Sequence, residues 1–447
     1  MMLGIQIGLH LNIHKSPINL QPQETIDLHP YFDLKRGGGK ADGVQDNLGA
    51  IASYLQNSHL PILLITKDRI NYLEQTLNSL LTTVRPTARS SLASPDNNLV
   101  DNKPPLYDNI IIAQDGTDEN VLNLLESLKT SHSLPSTAFQ LRRNDRQGQN
   151  LRGRTDGAAN IATHYKFAIQ SAMDFYDKAP GIIIAEDDFL FSPDFIEYFE
   201  SNAVAMDEDS TIFVISAWND NGQEGQVKDA AKLLRTTFFP GLGWFLSRKL
   251  WEEELQNKWP KTHWDHWMRA KEQYKTRDCL YPEKPRTYHN GIKGTFMDQS
   301  THDKYFAHVG YNVDADFRWS GDEWKAISPR TTYDDNIQQQ ITSGIVVQDI
   351  RRDLEPSLGG PDINSNKPRI LYINVNDWTS PNQPFKSIGN YFHIWHEIER
   401  TNYSGVHMFW FNGYKVVLVN IAESARFKGL KGGSDKVFVP HDFPPNS

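Results

Sequence analysis

The sequence GIIIAEDDF, residues 181–189, decides the fold of this chain. Its apolar run stops at three consecutive carboxylates, Glu186, Asp187 and Asp188. An unbroken apolar run is typical of a buried strand in a parallel sheet, and open α/β sheets bind ligands at the carboxyl ends of their strands. Carboxylate oxygens suit Mg²⁺ or Mn²⁺, which also take substrate phosphates as ligands. The stretch therefore predicts a cation site for a nucleotide diphosphate compound.

The same acids have a structural alternative. Ser192, Pro193 and Asp194 look like a helix start, with a capping side chain followed by proline at the first helical position. The three carboxylates could then belong to an acidic loop in front of that helix. The rest of the chain has to decide between the two interpretations.

Composition and charge exclude several classes of protein. The chain has 447 residues, of which 38% are hydrophobic, and a net charge of −9. These values fit a large folded core and argue against a general nucleic-acid or anionic-membrane binder. No stretch approaches the roughly 18 apolar residues of a membrane span, so none is expected in this chain. Cys279 is the single cysteine, which excludes an internal disulfide and removes any need for an oxidising compartment.

Apolar runs alternate with amphipathic segments from Pro61 onwards. Strands are predicted at residues 61–65, 109–113, 181–185 and 212–217, and helices at 71–81, 121–128 and 158–176. This alternation predicts right-handed βαβ units and a mostly parallel sheet, which is a Rossmann-like α/β domain. No G-x-G-x-x-G motif follows the first strand, which argues against a dinucleotide dehydrogenase.

Composition also predicts how the chain is divided. The divisions are a flexible N-terminal arm at 1–58, a catalytic domain at 59–330, a linker at 331–367, a small C-terminal α+β unit at 368–430 and a tail at 431–447. The glycine-rich basic stretch KRGGGK supports the arm, and the polar composition after residue 330 supports the linker. The terminal unit is too small to hold a large active site by itself.

Polar residues follow several of the predicted strands. Arg69 comes after the first strand, Asp115 after the second and Asn219 after the strand at 212–217. The carboxyl ends of parallel strands meet at one edge of a sheet, so these side chains are expected to converge with the acidic triplet. Arg69 would face a carboxylate or pyrophosphate there in bidentate fashion, or form an exposed surface pair at a helix start instead. Asp115 would hold a uracil or ribose edge, or be the first residue of an Asp-Gly turn.

Two aromatic-rich segments follow. FFPGLGW at 238–244 combines two glycines with aromatic rings, as in a tight loop pressed against a ligand or in a buried structural turn. WPKTHWDHWMR at 259–269 sets Asp265 among three tryptophans. An aspartate with a pKa near ~3.9 is ionised at neutral pH and needs only positioning to accept a hydroxyl proton. Its structural alternative is an ion pair with Arg269 on the same helix.

Taken in order, these motifs resemble those of the family 13 glycosyltransferases, the N-acetylglucosaminyltransferase I-like enzymes. The motifs that carry the resemblance are AEDD with PDF at 185–195, VISAWNDNG at 214–222, FFPGLGW at 238–244 and KWP through WDHWMR at 258–269. The resemblance covers residues 61–306, with a weaker similarity in the terminal unit.

The resemblance implies a GT-A fold and an inverting glycosyltransferase. Such an enzyme transfers N-acetylglucosamine (GlcNAc) from UDP-GlcNAc in β-1,2 linkage to a mannose-terminated glycan or glycoconjugate, with Mn²⁺ as cofactor. Nucleic acid is not expected as a partner. Two alternatives stay open: a nucleotidyltransferase that uses the acidic triplet, and a glycan-binding relative without catalysis.

The resemblance also implies roles for individual residues. Asp265 matches the catalytic base and Asp188 the metal ligand. The matching nucleotide- and donor-binding positions are Arg69, Asp115, His164, Glu186 and Asp187. The acceptor and sugar pocket is expected at Trp218, Asn219, Gly241, Leu242, Gly243, Trp244 and Trp264. A lid that orders over the donor is expected at Gly291, Gly294 and Thr295, where the alternative is a plain turn.

The chain departs from the family at the positions of its cysteines. By the resemblance, Lys67 and Gly116 stand where a cysteine pair is expected, and Val214 stands at the partner position of Cys279. Together with the lack of a recognisable membrane anchor, this predicts a soluble, cytoplasmic protein. The alternative is the Golgi lumen, if an N-terminal anchor is missing from this chain.

Overall fold

The computed structural model describes most of the chain outside its N-terminal region. The described residues are 48–83, 103, 105–145, 157–355, 367–376, 384–430 and 436–443. The KRGGGK stretch, most of the predicted arm and residues 356–366 of the predicted linker lie outside them.

The strands of the described residues follow the apolar runs of the sequence. In chain order they are β1 (Ile62–Thr66), β2 (Ile110–Asp115), β3 (Gln140–Asn144), β4 (Gly181–Glu186), β5 (Phe189–Phe191), β6 (Ile212–Ser216), β7 (Leu233–Thr236), β8 (Trp244–Ser247), β9 (Asp278–Pro282), β10 (Thr287–His289), β11 (Ile345–Val346), β12 (Arg369–Ile373), β13 (Val406–Phe411), β14 (Tyr414–Asn420) and β15 (Val437–Phe438).

The helices connect these strands. They are α1 (Ala50–Leu55), α2 (Ile70–Thr82), α3 (Glu119–Ser131), α4 (Gly157–Phe175), α5 (Phe195–Asn202), α6 (Ala205–Glu208), α7 (Arg248–Leu250), α8 (Trp264–Met268), α9 (Lys271–Tyr274), α10 (Gln299–Tyr305), α11 (Arg330–Ser343), α12 (Ile350–Leu354) and α13 (Lys386–Phe392).

The main sheet has the strand order β3-β2-β1-β4-β8-β6-β9-β7. Strands β1 to β4 pair in parallel, and β8 runs antiparallel between β4 and β6. Consequently β6 has the same direction as β4, and the ends of β1, β2, β4 and β6 meet at one edge. The α/β class and the mostly parallel sheet of the predicted GT-A domain are confirmed.

Helices cover each face of this sheet. Ile62 and Leu64 of β1 belong to the core that contains α2 and α3, whereas Leu63 and Ile65 belong to the core that contains α4. Because alternate residues enter two different cores, both sets are apolar, which explains the unbroken apolar runs.

A two-stranded sheet continues directly from the acidic triplet. Strand β5 begins at Phe189 and pairs antiparallel with β10, with Phe189 opposite His289. The backbone N–H of Asn290 donates to the carbonyl of Asp188 over 2.8 Å. This pairing places Asn290, which precedes the first predicted lid residue Gly291, next to Asp188 beyond the end of β4.

The predicted small C-terminal α+β unit forms a second sheet. Its order is β11-β12-β14-β13, and β15 also pairs with β12. Strand β15 lies in the segment predicted as a tail, and β11 lies in the segment predicted as a linker. The sheet therefore takes in residues from beyond the predicted limits of the unit on each side.

The predicted linker is wrong over residues 331–355, which form α11, β11 and α12. The polar composition of α11 conceals three buried side chains, Tyr333, Ile337 and Ile341, spaced four residues apart. This spacing places them on one face of the helix, where they join the core of the main domain.

The predicted flexible arm is wrong over its last residues. Helix α1 is held by Asp207, whose carboxylate accepts the backbone N–H groups of Ile51 and Ala52 at 3.0 Å each. An acid at a helix N-terminus satisfies N–H groups that have no partner inside the helix. The side chain of Ile51 is buried in the main core.

Across the parts of the chain that the structure describes, no helix combines the length and apolar character of a membrane span. The compartment stays a prediction.

Candidate active site

Arg69 and two acids of the triplet form the centre of the site. Arg69 directly precedes α2, so its side chain stands at the carboxyl end of β1, beside that of β4. Its Nη1 donates to Asp188 Oδ2 over 2.6 Å, and its Nη2 pairs with Asp187. The exposed-surface alternative for Arg69 is thus wrong, because its partners are 2% and 4% exposed.

Asp187 has further support from hydroxyl groups. Thr66 Oγ1 donates to its Oδ2 over 2.7 Å, and Thr76 Oγ1 donates to its carbonyl over 2.8 Å. Burial raises the pKa of Asp187 to about 6, against the lowering effect of Arg69. The carboxylate is therefore fixed from several directions.

Asp188 keeps one oxygen without a hydrogen-bond partner. Its Oδ1 is buried and unpartnered, while its Oδ2 lies 3.7 Å from His289 Nε2. Gly291 passes so close that a Cβ there would lie 2.3 Å from Asp188 Oδ2. Among the described residues, no group of three or more histidine, cysteine or acidic side chains is arranged to hold a metal ion. Any cation here would therefore need ligands from a substrate or from water.

Glu186 is held by a tyrosine on α4. Tyr165 Oη donates to Glu186 Oε1 over 2.5 Å. Burial, followed by the charge of Asp188, raises the pKa of Glu186 to about 7. Burial, followed by Glu186 and with smaller contributions from Asp188 and Asp265, holds the pKa of Tyr165 well above the usual value.

The predicted nucleotide-side residues His164 and Asp115 lie together at the ends of β2 and β3. His164 Nε2 faces the carbonyl of Ala113 at 3.1 Å, and its Nδ1 lies 4.0 Å from Asp115 Oδ1. Asn144 Nδ2 is 3.4 Å from the same Nδ1. Gly116 has a φ of +112°, a conformation that favours glycine, and its N–H donates to the carbonyl of Asn144.

Asp265 lies on the short helix α8 and pairs with Arg269. Arg269 Nη1 donates to Asp265 Oδ2 over 2.8 Å, which is the predicted structural alternative for this acid. The side chain of Asp265 is still 37% exposed. Burial alone would raise its pKa, but Arg269 and then His266 lower it below the usual value. Asp265 is therefore ionised at neutral pH and reachable from solvent.

A stack of aromatic rings fixes α8. The ring of Trp264 lies 4.1 Å from that of Tyr165, 6.0 Å from that of Trp244 and 5.9 Å from that of Trp259, all near parallel. Through Tyr165, the stack joins the residue next to Asp265 to the carboxylate of Glu186. The two ends of the predicted site are thereby connected by direct contacts.

The FFPGLGW segment forms a tight turn. Gly241, Leu242 and Gly243 have φ values of +70°, +51° and +92°. Positive φ values are uncommon for residues other than glycine, so the conformation of Leu242 is the unusual one. Hydroxyl groups hold it in place: Ser216 Oγ donates to the carbonyl of Gly241, and Thr287 Oγ1 to that of Leu242. A Cβ on Gly243 would lie 2.8 Å from Thr287 Cγ2, so glycine is required there.

The other residues predicted for the sugar pocket are buried. Trp218 and Trp244 are 0% and 1% exposed and belong to hydrophobic clusters. Asn219 Nδ2 donates to the carbonyl of Glu283, and its Oδ1 accepts the N–H of Asn221. These side chains are engaged inside the protein, and contact with a sugar stays a prediction.

The predicted lid runs from Asp188 across the site. A Cβ added to Gly294 would lie 3.9 Å from Arg69 Nη1, and one added to Gly157 would lie 2.6 Å from Thr295 Cγ2. Gly291, Gly294 and Thr295 thus pass successively near the acidic triplet, Arg69 and the start of α4. Whether the segment orders on donor binding stays a prediction.

Three supporting residues were missed in the sequence: Thr66, Thr76 and Tyr165. Thr76 and Tyr165 occupy buried helical positions that are indistinguishable from ordinary core positions. Thr66 gave a usable signal, because it is the last residue of β1 and therefore belongs to the edge where the other polar residues converge.

Comparison with known families identifies the chain. A sequence model of the GNT-I family matches residues 40–428. The chain belongs to the GNT-I family. The predicted N-acetylglucosaminyltransferase I-like family is thereby confirmed, and the match extends through the terminal unit.

The chain is also similar to a curated plant protein, the alpha-1,3-mannosyl-glycoprotein 2-beta-N-acetylglucosaminyltransferase of Arabidopsis thaliana. The two are 37% identical over 252 residues, which is 56% of this chain and 51% of the relative. This member of the GNT-I family therefore spans about half the length of that relative.

Two solved structures show weak similarity. One is the mannosyltransferase PcManGT from Pyrobaculum calidifontis in complex with GDP-Man and Mn²⁺, with 14% identity, a TM-score of 0.29, and coverage of 51% of this chain and 56% of that chain. The other is the apo form of mouse xyloside xylosyltransferase 1, with 12% identity, a TM-score of 0.25, and coverage of 48% of this chain and 77% of that chain. Similarities of this size do not bear on the substrate.

Proposed function

We propose that this chain is an inverting N-acetylglucosaminyltransferase that transfers GlcNAc from UDP-GlcNAc in β-1,2 linkage to a mannose-terminated acceptor. The observation that carries the proposal is Arg69 paired with Asp187 and Asp188 at the carboxyl edge of the sheet, connected by contacts to an ionised, partly exposed Asp265. Membership of the GNT-I family supports glycosyl transfer, and the name of the Arabidopsis relative supports the donor sugar and the linkage.

The residues around Asp188 fit a divalent cation such as Mn²⁺. The buried, unpartnered Oδ1 of Asp188 offers a carboxylate oxygen, and the lack of a side chain at Gly291 leaves room beside Oδ2 of the same carboxylate. Ions of this kind are often held by one or two carboxylates together with substrate phosphates, which agrees with the lack of a larger cluster of ligands among the described residues. When bound, such an ion would stabilise the negative charge of the departing UDP.

The remaining donor-side residues have distinct tasks in this proposal. Arg69 provides a fixed positive charge next to the diphosphate and neutralises the paired acids until the donor binds. Asp115 and His164 orient the nucleotide from the ends of β2 and β3. Glu186, with its carboxylate fixed by Tyr165, accepts a hydrogen bond from a hydroxyl group of the donor sugar.

Asp265 acts as general base. Its carboxylate accepts the proton of the acceptor hydroxyl as that oxygen attacks the anomeric carbon and UDP departs from the opposite face. Arg269 keeps Asp265 ionised and limits its rotation. A single displacement of this kind inverts the configuration at the anomeric carbon.

Turnover of a panel of substrates tests the proposal. Purified protein is incubated with Mn²⁺, several UDP-sugars and mannose-terminated oligosaccharides, and the release of UDP is followed. We expect UDP only with UDP-GlcNAc and an acceptor together, loss of turnover with EDTA, and a β-1,2-linked product by NMR. Release of pyrophosphate would instead indicate a nucleotidyltransferase. Saccharide binding without turnover would indicate a glycan-binding relative.

A further inference from the structure

Tyr165 contacts the two halves of the proposed site at the same time. Its hydroxyl donates to Glu186 Oε1 over 2.5 Å, and its ring stacks on Trp264 at 4.1 Å with 24° between the ring planes. Glu186 ends β4, whereas Trp264 begins α8 and directly precedes Asp265. One buried side chain thus touches the donor-side carboxylate and the element that carries the base.

The position of Tyr165 on α4 explains this double contact. His164 and Tyr165 are consecutive, so their side chains point about 100° apart around the helix axis. His164 faces the ends of β2 and β3, on the nucleotide side. Tyr165 faces the end of β4, on the other side of β1, where the acidic triplet begins. A single turn of α4 serves the two sides of the donor site.

Helix α8 depends on such contacts, because it cannot hold its place by itself. It has five residues, and the preceding His263 has a φ of +47°. Helices this short are not stable in isolation and are held by tertiary packing. Trp264 supplies that packing, because its ring contacts the rings of Tyr165, Trp244 and Trp259.

The hydroxyl group adds an effect that stacking alone would not give. It is protonated, because burial and the nearby acids hold its pKa well above the usual value, so it donates rather than accepts. Whenever Glu186 is ionised, this hydrogen bond is charge-assisted and stronger than one between neutral groups. It therefore sets the rotation of the Glu186 carboxylate before the donor arrives.

We propose that Tyr165 is a positioning residue that couples recognition of the donor sugar, through Glu186, to placement of the Asp265 base, through Trp264. This inference rests on the proposed function. It separates two contributions of one side chain: the hydroxyl group orients Glu186, and the ring orients α8.

Two substitutions separate these contributions. Tyr165→Phe removes the hydroxyl and keeps the stacked ring, whereas Tyr165→Leu removes both. Tyr198→Phe is the matched control, because Tyr198 is equally buried and its hydroxyl donates a single bond, over 2.6 Å, to the carbonyl of Ser216. Binding of UDP-GlcNAc and of UDP, each with Mn²⁺, is measured by titration calorimetry. Initial rates with a mannose-terminated oligosaccharide give kcat and the two KM values.

We expect Tyr165→Phe to weaken binding of UDP-GlcNAc about tenfold, as for a lost hydrogen bond to a charged group, and to leave UDP binding unchanged. The KM for the acceptor should also stay unchanged. Tyr165→Leu should in addition lower kcat about 10²-fold, because a small displacement of the base is costly. The tryptophan bands of the near-ultraviolet circular dichroism spectrum should change more for Tyr165→Leu than for Tyr165→Phe, because only the first removes the ring stacked on Trp264.

Two results would overturn the inference while leaving the proposed function intact. The first is equal weakening of UDP-GlcNAc and UDP by Tyr165→Phe, and the second is an effect no larger than that of Tyr198→Phe. If the wild-type protein binds no UDP-GlcNAc, the proposed function fails and the inference fails with it. The wild-type titration therefore distinguishes the two failures.

Discussion

Asp188 and Asp265, the two carboxylates given chemical roles, are held in opposite ways. Asp188 lies two residues after the central strand β4, is 4% exposed and is enclosed by Arg69 and the pairing of β5 with β10. Asp265 is 37% exposed and lies on a five-residue helix that is attached through the stack around Trp264. Backbone pairing fixes the first, and side-chain packing fixes the second.

Because the two acids are held differently, substitutions near them should affect different properties of the protein. A change near Asp188 disturbs buried charges, so it should affect stability and donor binding together. A change of Asp265 to asparagine touches a partly exposed ion pair and keeps an acceptor for Arg269, so the loss of stability should be small. It should therefore affect the reaction alone.

The largest expected effect is that of Asp265→Asn on turnover. Removing a general base typically lowers the rate by about 10² to 10⁴-fold, and the amide can still accept the hydrogen bond from Arg269. We expect kcat to fall within this range while UDP-GlcNAc affinity and the unfolding temperature stay near wild type. Asp335→Asn, at an exposed position of α11, is the control. Equal loss of donor binding would show that Asp265 is a structural acid.

The next largest effect is that of Arg69→Ala on stability. The change leaves Asp187 and Asp188 buried without their cation, and breaking a buried pair typically costs 3–5 kcal/mol. We expect roughly 3 kcal/mol, the lower end, because the arginine side chain is itself 31% exposed. Urea unfolding measures the loss, and UDP binding should weaken in parallel.

Arg352→Ala provides the comparison for Arg69→Ala. Arg352 pairs with Asp353 over 2.8 Å, but its side chain is 61% exposed. Exposed pairs of this kind contribute little, so its free energy of unfolding should hardly change. Similar losses of stability in the two variants would show that burial of the acidic partners does not decide how much an ion pair contributes.

The donor edge could be predicted from the sequence because it follows a simple rule. Apolar runs mark the strands, and Arg69, Asp115 and the acidic triplet each lie at the end of one of them or within three residues of it. The link through Tyr165 could not be predicted. A buried aromatic residue on α4 has the same sequence pattern whether it only fills the core or also orients a residue of the site. The contact depends on how α4 and α8 approach each other, which no local pattern encodes.

Two errors in the terminal half have a different cause. Helix α11 looked like a linker, because its three buried residues stand among polar ones. Strand β13 was not predicted, although Asn412 and Gly413 form the turn between it and β14 with φ values of +49° and +85°. An Asn-Gly pair between apolar strands is a strong hairpin signal, so this information was present in the sequence.

A smaller effect is expected from Gly291→Ala. Its Cβ would lie 2.3 Å from Asp188 Oδ2, so the carboxylate or the lid must move. Overpacking of this kind typically costs 1–3 kcal/mol, and we expect about tenfold weaker binding of UDP-GlcNAc with Mn²⁺. Gly294→Ala is the matched control on the same segment, because the nearest atom to its Cβ would be 3.7 Å away. Equal effects would mean that general lid flexibility, and not contact with Asp188, decides binding.

The smallest effect is expected from Thr66→Val, which tests whether Thr66 helps Arg69 to fix the carboxylate of Asp187. Thr66 Oγ1 donates to Asp187 Oδ2 over 2.7 Å, and valine has nearly the same shape without the donor. Because Asp187 keeps Arg69 as a partner, we expect a loss of about 1 kcal/mol in the free energy of unfolding. Thr130→Val, which removes a hydroxyl bonded to a carbonyl on an exposed face of α3, should cost less. If the two variants lose the same stability, Arg69 is the side chain that fixes the Asp187 carboxylate. The half of the site around Asp188 would then depend on one side chain, as the half around Asp265 depends on Trp264.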